Sequence, residues 1–401
     1  MRATTDSIVE KRKANASRVF LTGGTGFTGS FLAVELLKKG YPVVFLSRPT
    51  DKLSGSERVR QVLDWHNFTG GNFEVVEGQI TEPHLGLNDG DYARLLETVD
   101  EIWDCAAETS FSERGRRQSE AVNVKGTRNV LNLAVEGKCQ FFHFMSTAYV
   151  AGKRHGVCQE DFEIQTDFYN VYEETKYKAE QSVLATCKEA GIRASIYRPS
   201  IIYGESKSGK SLQFKAMYVM AQTIHYLKKY FEKDFDENNG ARATQLGVRR
   251  EGDRFYMPGR ILQSNGSSIN LVPIDFVAAQ CVALMENSLE GDIFNVINHR
   301  PATLEEMLGY LEKFFNTDGL RVVPEKDFLE QPETPLEKLG FSFIEVYRPY
   351  LCDTRIFENG KSASISEQCN IVCPRLDYES FARCIDYAIK VDWGKAAKKA
   401  R

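Results

Sequence analysis

The chain has 401 residues, with a hydrophobic fraction of 42%, a charged fraction of 26% and a formal net charge of −4. These values suit one large domain or two packed lobes, and they exclude a disordered or fibrous chain and a global basic field for nucleic acid. No apolar run is long enough to span a membrane, and the charged start (Glu10, Lys11, Arg12, Lys13) has no apolar stretch of a secretory signal. Nine cysteines at scattered spacings do not form a disulfide framework, so reduced thiols in a cytoplasmic protein are expected. The six histidines show no ligand spacing, and no metal is expected.

Residues 1–16 read as a flexible N-terminal arm, with Lys11, Arg12 and Lys13 solvated. Residues 18–22 (RVFLT) form a buried strand running into glycines. Residues 30–39 carry apolar side chains at helical spacing and stop at Gly40. Further strands are predicted at 41–47, 73–77, 99–105, 140–145 and 193–198, with helices over 120–136 and 171–190. This alternation predicts an α/β fold, a doubly wound parallel sheet of Rossmann type over 17–205. Beyond 205 the rhythm breaks. A Ser/Gly/Lys loop, a helix at 212–231 and a charged loop fill 206–266. A strand, a helix and a strand over about 267–302 return to the sheet. Residues 206–266 and 303–392 are assigned to a smaller substrate-binding lobe, and 393–401 to a basic tail.

The first strand enters Thr22-Gly23-Gly24-Thr25-Gly26-Phe27-Thr28-Gly29. Gly23, Gly26 and Gly29 are spaced G-x-x-G-x-x-G between a strand and a helix. A tight turn needs backbone free to take positive φ, the chain must approach a pyrophosphate closely, and the helix N-terminus turns free N–H groups toward it. A glycine turn without a ligand is the plain alternative; the flanking strand and helix favour the dinucleotide. The second strand ends Leu46-Ser47-Arg48-Pro49. An acid there suits the ribose 2′-hydroxyl of NAD. The charged planar fork of Arg48 suits a 2′-phosphate, so NADPH/NADP is the expected cofactor.

Tyr172 and Lys176 stand four apart in a predicted helix, hence on one face. An ammonium near a phenol favours tyrosinate, lowers its pKa and makes Tyr172 a usable acid. The pattern alone is common on surfaces. Its weight comes from following a strand that ends Met145-Ser146-Thr147, whose hydroxyls face the ligand crevice of such sheets.

TGGTGFTG (22–29), NVKGTRNVL (123–131), STAYVAG (146–152), YEETK (172–176), YRPSIIYG (197–204) and NLVPIDFVA (270–278) follow one another along nearly the whole chain. In this combination the chain resembles the extended short-chain dehydrogenases/reductases. The resemblance implies that Tyr172 is the general acid, that Lys176 binds the nicotinamide ribose, and that Thr147, with Ser146 as the weaker alternative, binds the substrate oxygen. It counts Gly23, Thr25, Gly26, Phe27, Gly29, Arg48, Gln79, Ile80 and Ala106 among the cofactor-binding positions. It adds Asn123 as a helix support, and Pro199 and Ile202 near the nicotinamide. Gln79 departs from the usual Asp beside the adenine, and glutamine still hydrogen-bonds an adenine amine.

The stretch 78–111, with Gly86, Leu87, Ala106, Ala107 and Phe111, resembles the thioester reductase and fatty acyl reductase branch. This implies NADPH-dependent reduction of an acyl thioester to aldehyde or alcohol, the acyl group being carried by coenzyme A or by a carrier protein acting in trans. The competing readings are a reductase of a free aldehyde or ketone, a sugar-nucleotide epimerase or dehydratase, and a non-catalytic NADP-binding protein. Arg48 and the Ala148-Tyr149 pair speak against the second, and the Tyr172/Lys176 pair against the third. A homodimer is expected on resemblance alone. Segment 212–231 is expected to pack on the core, the alternative being an acyl channel walled by Met217 and Met220. His225 is expected to be packed or solvated, and Lys207, Lys210 and Lys215 to meet phosphates or solvent.

Overall fold

The computed structural model describes Arg12, Ala14 and residues 16–264 and 266–395. Seven parallel strands form one sheet: β1 (Val19–Thr22), β2 (Val43–Ser47), β3 (Phe73–Glu77), β4 (Glu101–Asp104), β5 (Phe141–Met145), β6 (Arg193–Pro199) and β7 (Ile293–Val296), in the order β7-β6-β5-β4-β1-β2-β3. All residues of β1, β2, β4 and β5 are buried, as strands covered on both faces must be. One face packs against α1 (Phe27–Lys38) and α2 (Gly55–Trp65), the other against α3 (Asp89–Thr98), α4 (Thr127–Glu136) and α5 (Val171–Ala190). The strand order reverses between β1 and β4, which opens a crevice above their C-terminal ends.

Sequence periodicity missed α2 and α3. The signal for α2 was present: Ser54 and Glu57 form a reciprocal capping box. The helix expected over 120–136 contains a π-helical stretch, Glu120–Gly126, before α4.

Helix α6 (Met217–Asn238) opens a separate core in the C-terminal region. Helix α7 (Ile274–Asn287) returns to pack on the sheet beside α1. The strand Arg254–Gln263 and helices α8 (Leu304–Phe315), α9 (Pro335–Ile344) and α10 (Tyr378–Lys390) complete the second core around α6. Two parallel ribbons connect distant segments: Ile201–Tyr203 with Leu271–Pro273, and Gly156–Cys158 with Arg355–Phe357. Tyr350 donates a 2.5 Å hydrogen bond to Glu173 in the first turn of α5, and Asn170, the α5 N-cap, donates to the Tyr350 hydroxyl at 2.6 Å.

One expectation is corrected. Arg12 is buried, not solvated. Its guanidinium meets Glu101 at 2.6 Å and donates to the Met285 carbonyl at 2.5 Å. Glu101 in turn meets His143 at 2.8 Å, so three polar groups satisfy one another beneath the sheet. Charge alone suggested a solvated stretch; a buried carboxylate on β4 draws the arginine in. Lys11 and Lys13 lie outside the described residues. In the expected basic tail Trp393 is buried, while residues 396–401 lie outside the described residues. Among the described residues no helix is long and apolar enough to cross a membrane, and no cluster of His, Cys, Asp and Glu is placed to hold a metal.

Candidate active site

A cavity of about 770 Å³ lies above the C-terminal strand edges, from the glycine loop at one end to Thr147, Tyr172, Phe111, Tyr347 and Tyr350 at the other. Gly23 takes φ +68°, and a Cβ there would lie 2.6 Å from the Ala106 backbone nitrogen, so only glycine lets the β1 and β4 loops touch. The Gly26 amide donates to the Gly23 carbonyl at 2.8 Å. Helix α1 starts at Phe27 with no side-chain cap and no acid in its first turn, leaving its N–H groups to an anion. Thr22 donates to buried Asp104 at 2.6 Å and accepts from the Cys105 and Ala106 amides at 3.1 Å, which fixes the loop after β4.

Arg48 is exposed at the end of β2 and lines the cavity. Arg58 of α2 lies beside it, donating to the Thr25 hydroxyl at 3.2 Å and to the Arg48 carbonyl. Sequence reasoning missed Arg58; recognising the capping box would have put it in the first turn of a helix behind the loop. Gln79 donates to Glu82 at 2.9 Å at the cavity edge, and Ile80 packs against Gly126. Ala106, Pro199 and Ile202 line the middle of the cavity.

Asn123 is not a wall of this cavity. It is fully buried, accepts from the Glu108 amide at 2.8 Å and donates to the Thr175 hydroxyl at 2.9 Å, so it braces the loop after β4 against α5.

Tyr172 and Thr147 face the cavity together. Burial pushes the Tyr172 phenol up to about 12, with hydrogen bonding to Thr147 opposing. The direction is opposite to the depression expected from Lys176, because burial outweighs it. The Lys176 ammonium is turned inward, 3.9 Å from the centroid of the Phe144 ring, and its Nζ has no hydrogen-bond partner. Burial lowers its pKa to about 8, with Asp104 and Glu180 opposing. Lys176 does not line the cavity; a buried ammonium without a hydrogen-bond partner is costly. The Ser146 hydroxyl is likewise buried and unpartnered; Thr147 is the one hydrogen-bonded to Tyr172.

The glycine cradle, the unpartnered Lys176 and the open helix terminus fit a nicotinamide dinucleotide laid along the crevice. Cys105, the one thiol among the described lining residues, has its pKa raised well above the ordinary thiol value by burial, so it is not a thiolate.

Of the remaining expectations, Met217 and Met220 are buried in the second core and do not line this cavity. Helix α6 starts five residues later than predicted because the loop before it runs on to Ala216. His225 is half-buried against Tyr226, Phe315 and Trp393. Lys215 lines the cavity and reaches Thr109, Lys210 donates to the Trp65 carbonyl at 3.2 Å, and Lys207 is exposed.

The family described as male sterility protein, an NAD-binding family, matches residues 21–281. Among curated proteins, the chain is 27% identical over 305 residues to the L-2-aminoadipate reductase large subunit of Candida glabrata, covering 70% of this chain and 20% of that protein. It is 25% identical over 390 residues to a linear gramicidin synthase chain of Brevibacillus parabrevis, covering 92% of this chain and 7% of that protein. The chain thus spans a fifth or less of these relatives. The fold is shared with the terminal R domain of the myxalamid PKS-NRPS pathway (TM-score 0.73, 21% identity, 97% of this chain and 99% of that one). It is also shared with UDP-glucuronic acid 4-epimerase from Bacillus cereus in complex with NAD (TM-score 0.62, 16% identity, 95% and 99%). With more than half its length matched by the family and this geometry behind the match, the chain belongs to the male sterility protein family.

Proposed function

We propose that the protein is an NADPH-dependent oxidoreductase that reduces an acyl thioester, carried by coenzyme A or a carrier protein, to the aldehyde. The observation that carries this reading is the Thr147 and Tyr172 hydroxyl pair in one cavity with the glycine cradle, where Cys105 is held as a thiol. Without a thiolate, the acyl group is reduced directly and forms no acyl-enzyme.

Bound NADPH supplies the hydride. The Thr147 and Tyr172 hydroxyls hold the thioester carbonyl oxygen and stabilise the charge that develops on it. The Tyr172 phenol, protonated at neutral pH, donates its proton to that oxygen. The carbonyl, with hydride on its carbon and the proton on its oxygen, becomes a hemithioacetal. Its C–S bond breaks, the hydroxyl proton passes to sulfur, and aldehyde and free thiol result. Lys176, whose buried Nζ makes no hydrogen bond, would supply donors to the cofactor ribose. Arg48 and Arg58, which flank the loop end of the cavity, support NADP over NAD. The similarity to the aminoadipate reductase and to the R domain supports the thioester class.

The test is NADPH oxidation by the purified protein with acyl-CoA and carrier-bound thioesters, free aldehydes and sugar nucleotides, products identified by mass. Thioester-dependent aldehyde formation that Tyr172→Phe abolishes is expected. Turnover with aldehydes alone, or with sugar nucleotides alone, overturns the thioester assignment.

A further inference from the structure

Two hollows are lined by neighbouring residues of the same two stretches of chain, 216–227 and 336–350. The active cavity stops at Ala216, Tyr347 and Tyr350. A second hollow of about 80 Å³ lies in the C-terminal core, walled by Met220, Ile224, Leu227, Leu308, Phe341 and Ile344. Met220 is one turn past Ala216, and Ile344 stands three residues before Tyr347. On a helix such offsets amount to about 5–6 Å, so the linings of the two hollows come within about a turn of each other at both places.

Tyr347 and Ala216 line the active cavity at these two places. Ala216 holds φ +50° and ψ −111°, outside the basins open to a residue with a Cβ, and such a conformation persists only when its surroundings hold it. Its backbone N–H faces the Tyr347 hydroxyl. The Tyr347 ring packs on Phe111 at 5.7 Å between centroids, and Phe111 stacks on Tyr172 at 6.0 Å. The tyrosine beside the strained alanine therefore also shapes the substrate end of the cavity.

The second hollow is suited to hydrocarbon. Its charged wall residues, Arg260 and Glu337, satisfy each other at 2.8 Å, and the Thr223 hydroxyl donates to the Val219 carbonyl at 2.8 Å, so they make no demand on an occupant. Apolar hollows of this kind stay dry, and since one water-sized group needs roughly 10–15 Å³, this one holds several.

We propose that the Tyr347–Ala216 contact is a length gate: closed, it limits the enzyme to short acyl groups, and open, it admits the distal methylenes of an unbranched acyl chain into the apolar hollow. This rests on the thioester-reductase reading. The specificity-determining residue is Tyr347, and Met220 is part of the seat behind it.

The experiment compares kcat/KM for butanoyl- and dodecanoyl-CoA in the wild type, Tyr347→Ala and the Tyr347→Ala/Met220→Trp double variant. Each methylene newly seated is worth about fourfold, so the dodecanoyl-to-butanoyl ratio rises about tenfold or more in Tyr347→Ala and falls back in the double variant. A general structural lesion lowers both substrates and leaves the ratio alone. An unchanged ratio, with the wild type active on butanoyl-CoA, overturns the gate and leaves the thioester reading intact. Inactivity of the wild type on every thioester overturns that reading separately. The gate is then judged by binding of a dansyl-labelled undecanoic acid. Binding to Tyr347→Ala that Met220→Trp removes supports it, and equal binding to all three proteins overturns it.

Discussion

The phenol of Tyr172 and the amine of Lys176 are both buried, and burial moves them in opposite directions. The phenol, near 12, stays protonated across the working range, so it is a proton donor whose removal costs rate rather than cofactor affinity. Tyr172→Phe is expected to lower kcat by about 10²–10⁴-fold while the NADPH Kd, measured by fluorescence titration, stays within a few-fold. Lys176, lowered to about 8, is charged below that pH and neutral above it. Its attraction for an anionic cofactor is present below pH 8 and lost above, so the NADPH Kd rises as pH passes upward through about 8, and Lys176→Met flattens that step. At the loop end, Arg48→Ala and Arg58→Ala are each expected to cut the NADPH-over-NADH preference in kcat/KM about tenfold or more, the worth of a charge-assisted hydrogen bond. That the glycine loop, Arg48 and Thr147 would share one cavity was legible in the sequence because each sits at a strand end, and Tyr172 joins them from the helix that follows β5. Arg58, Tyr347 and Tyr350 were not, because helix packing or a fold-back of nearly two hundred residues brings them to the cavity. The direction of the Tyr172 shift was missed because spacing puts two residues on one helix face without saying which way a long flexible amine turns.

The strands were readable as elements because burial on both faces demands continuous apolar runs, which few other structures need. Helices α2 and α3 were missed because their buried stripes are narrow: Val59, Val62 and Leu63 in α2, Tyr92 and Leu95 in α3. Their ends carry the information instead, in the caps Ser54 and Asn88. The turn between β1 and α1 is the least tolerant element. Gly23→Ala would set a Cβ against the Ala106 nitrogen at a positive φ, destabilising the loop by roughly 1–3 kcal/mol. The expected outcome is a loss of NADPH binding of about tenfold or more with a folded circular dichroism spectrum; unchanged affinity would refute the close approach.

For the molecule as a whole, the Arg12–Glu101–His143 cluster fastens the N-terminal segment beneath the sheet. Interactions with Arg12 and His143 hold the Glu101 carboxyl down to about 2 despite burial, and burial holds His143 down to about 4. Both folded values lie below the ordinary ones, so both stabilise the fold at neutral pH and lose that contribution in acid. The His143 share fades as pH falls from about 6.5 toward 4, and the Glu101 share below about 4.5. Tm measured against pH is expected to be flat near neutrality and to fall below about 6.5. Arg12→Met leaves a buried carboxylate short of its main partner and is expected to destabilise the fold by about 3 kcal/mol in urea titration. The sequence did not disclose this cluster, since its members are far apart along the chain. The hydrogen bond from Tyr350 to Glu173 carries a related consequence for protein engineering. The first turn of the helix bearing Tyr172 is completed by a residue from the far end of the chain, so the nucleotide-binding portion is not a transplantable module. A chimaera that exchanges the C-terminal lobe keeps a correctly set acid only if the incoming lobe brings its own hydroxyl to Glu173.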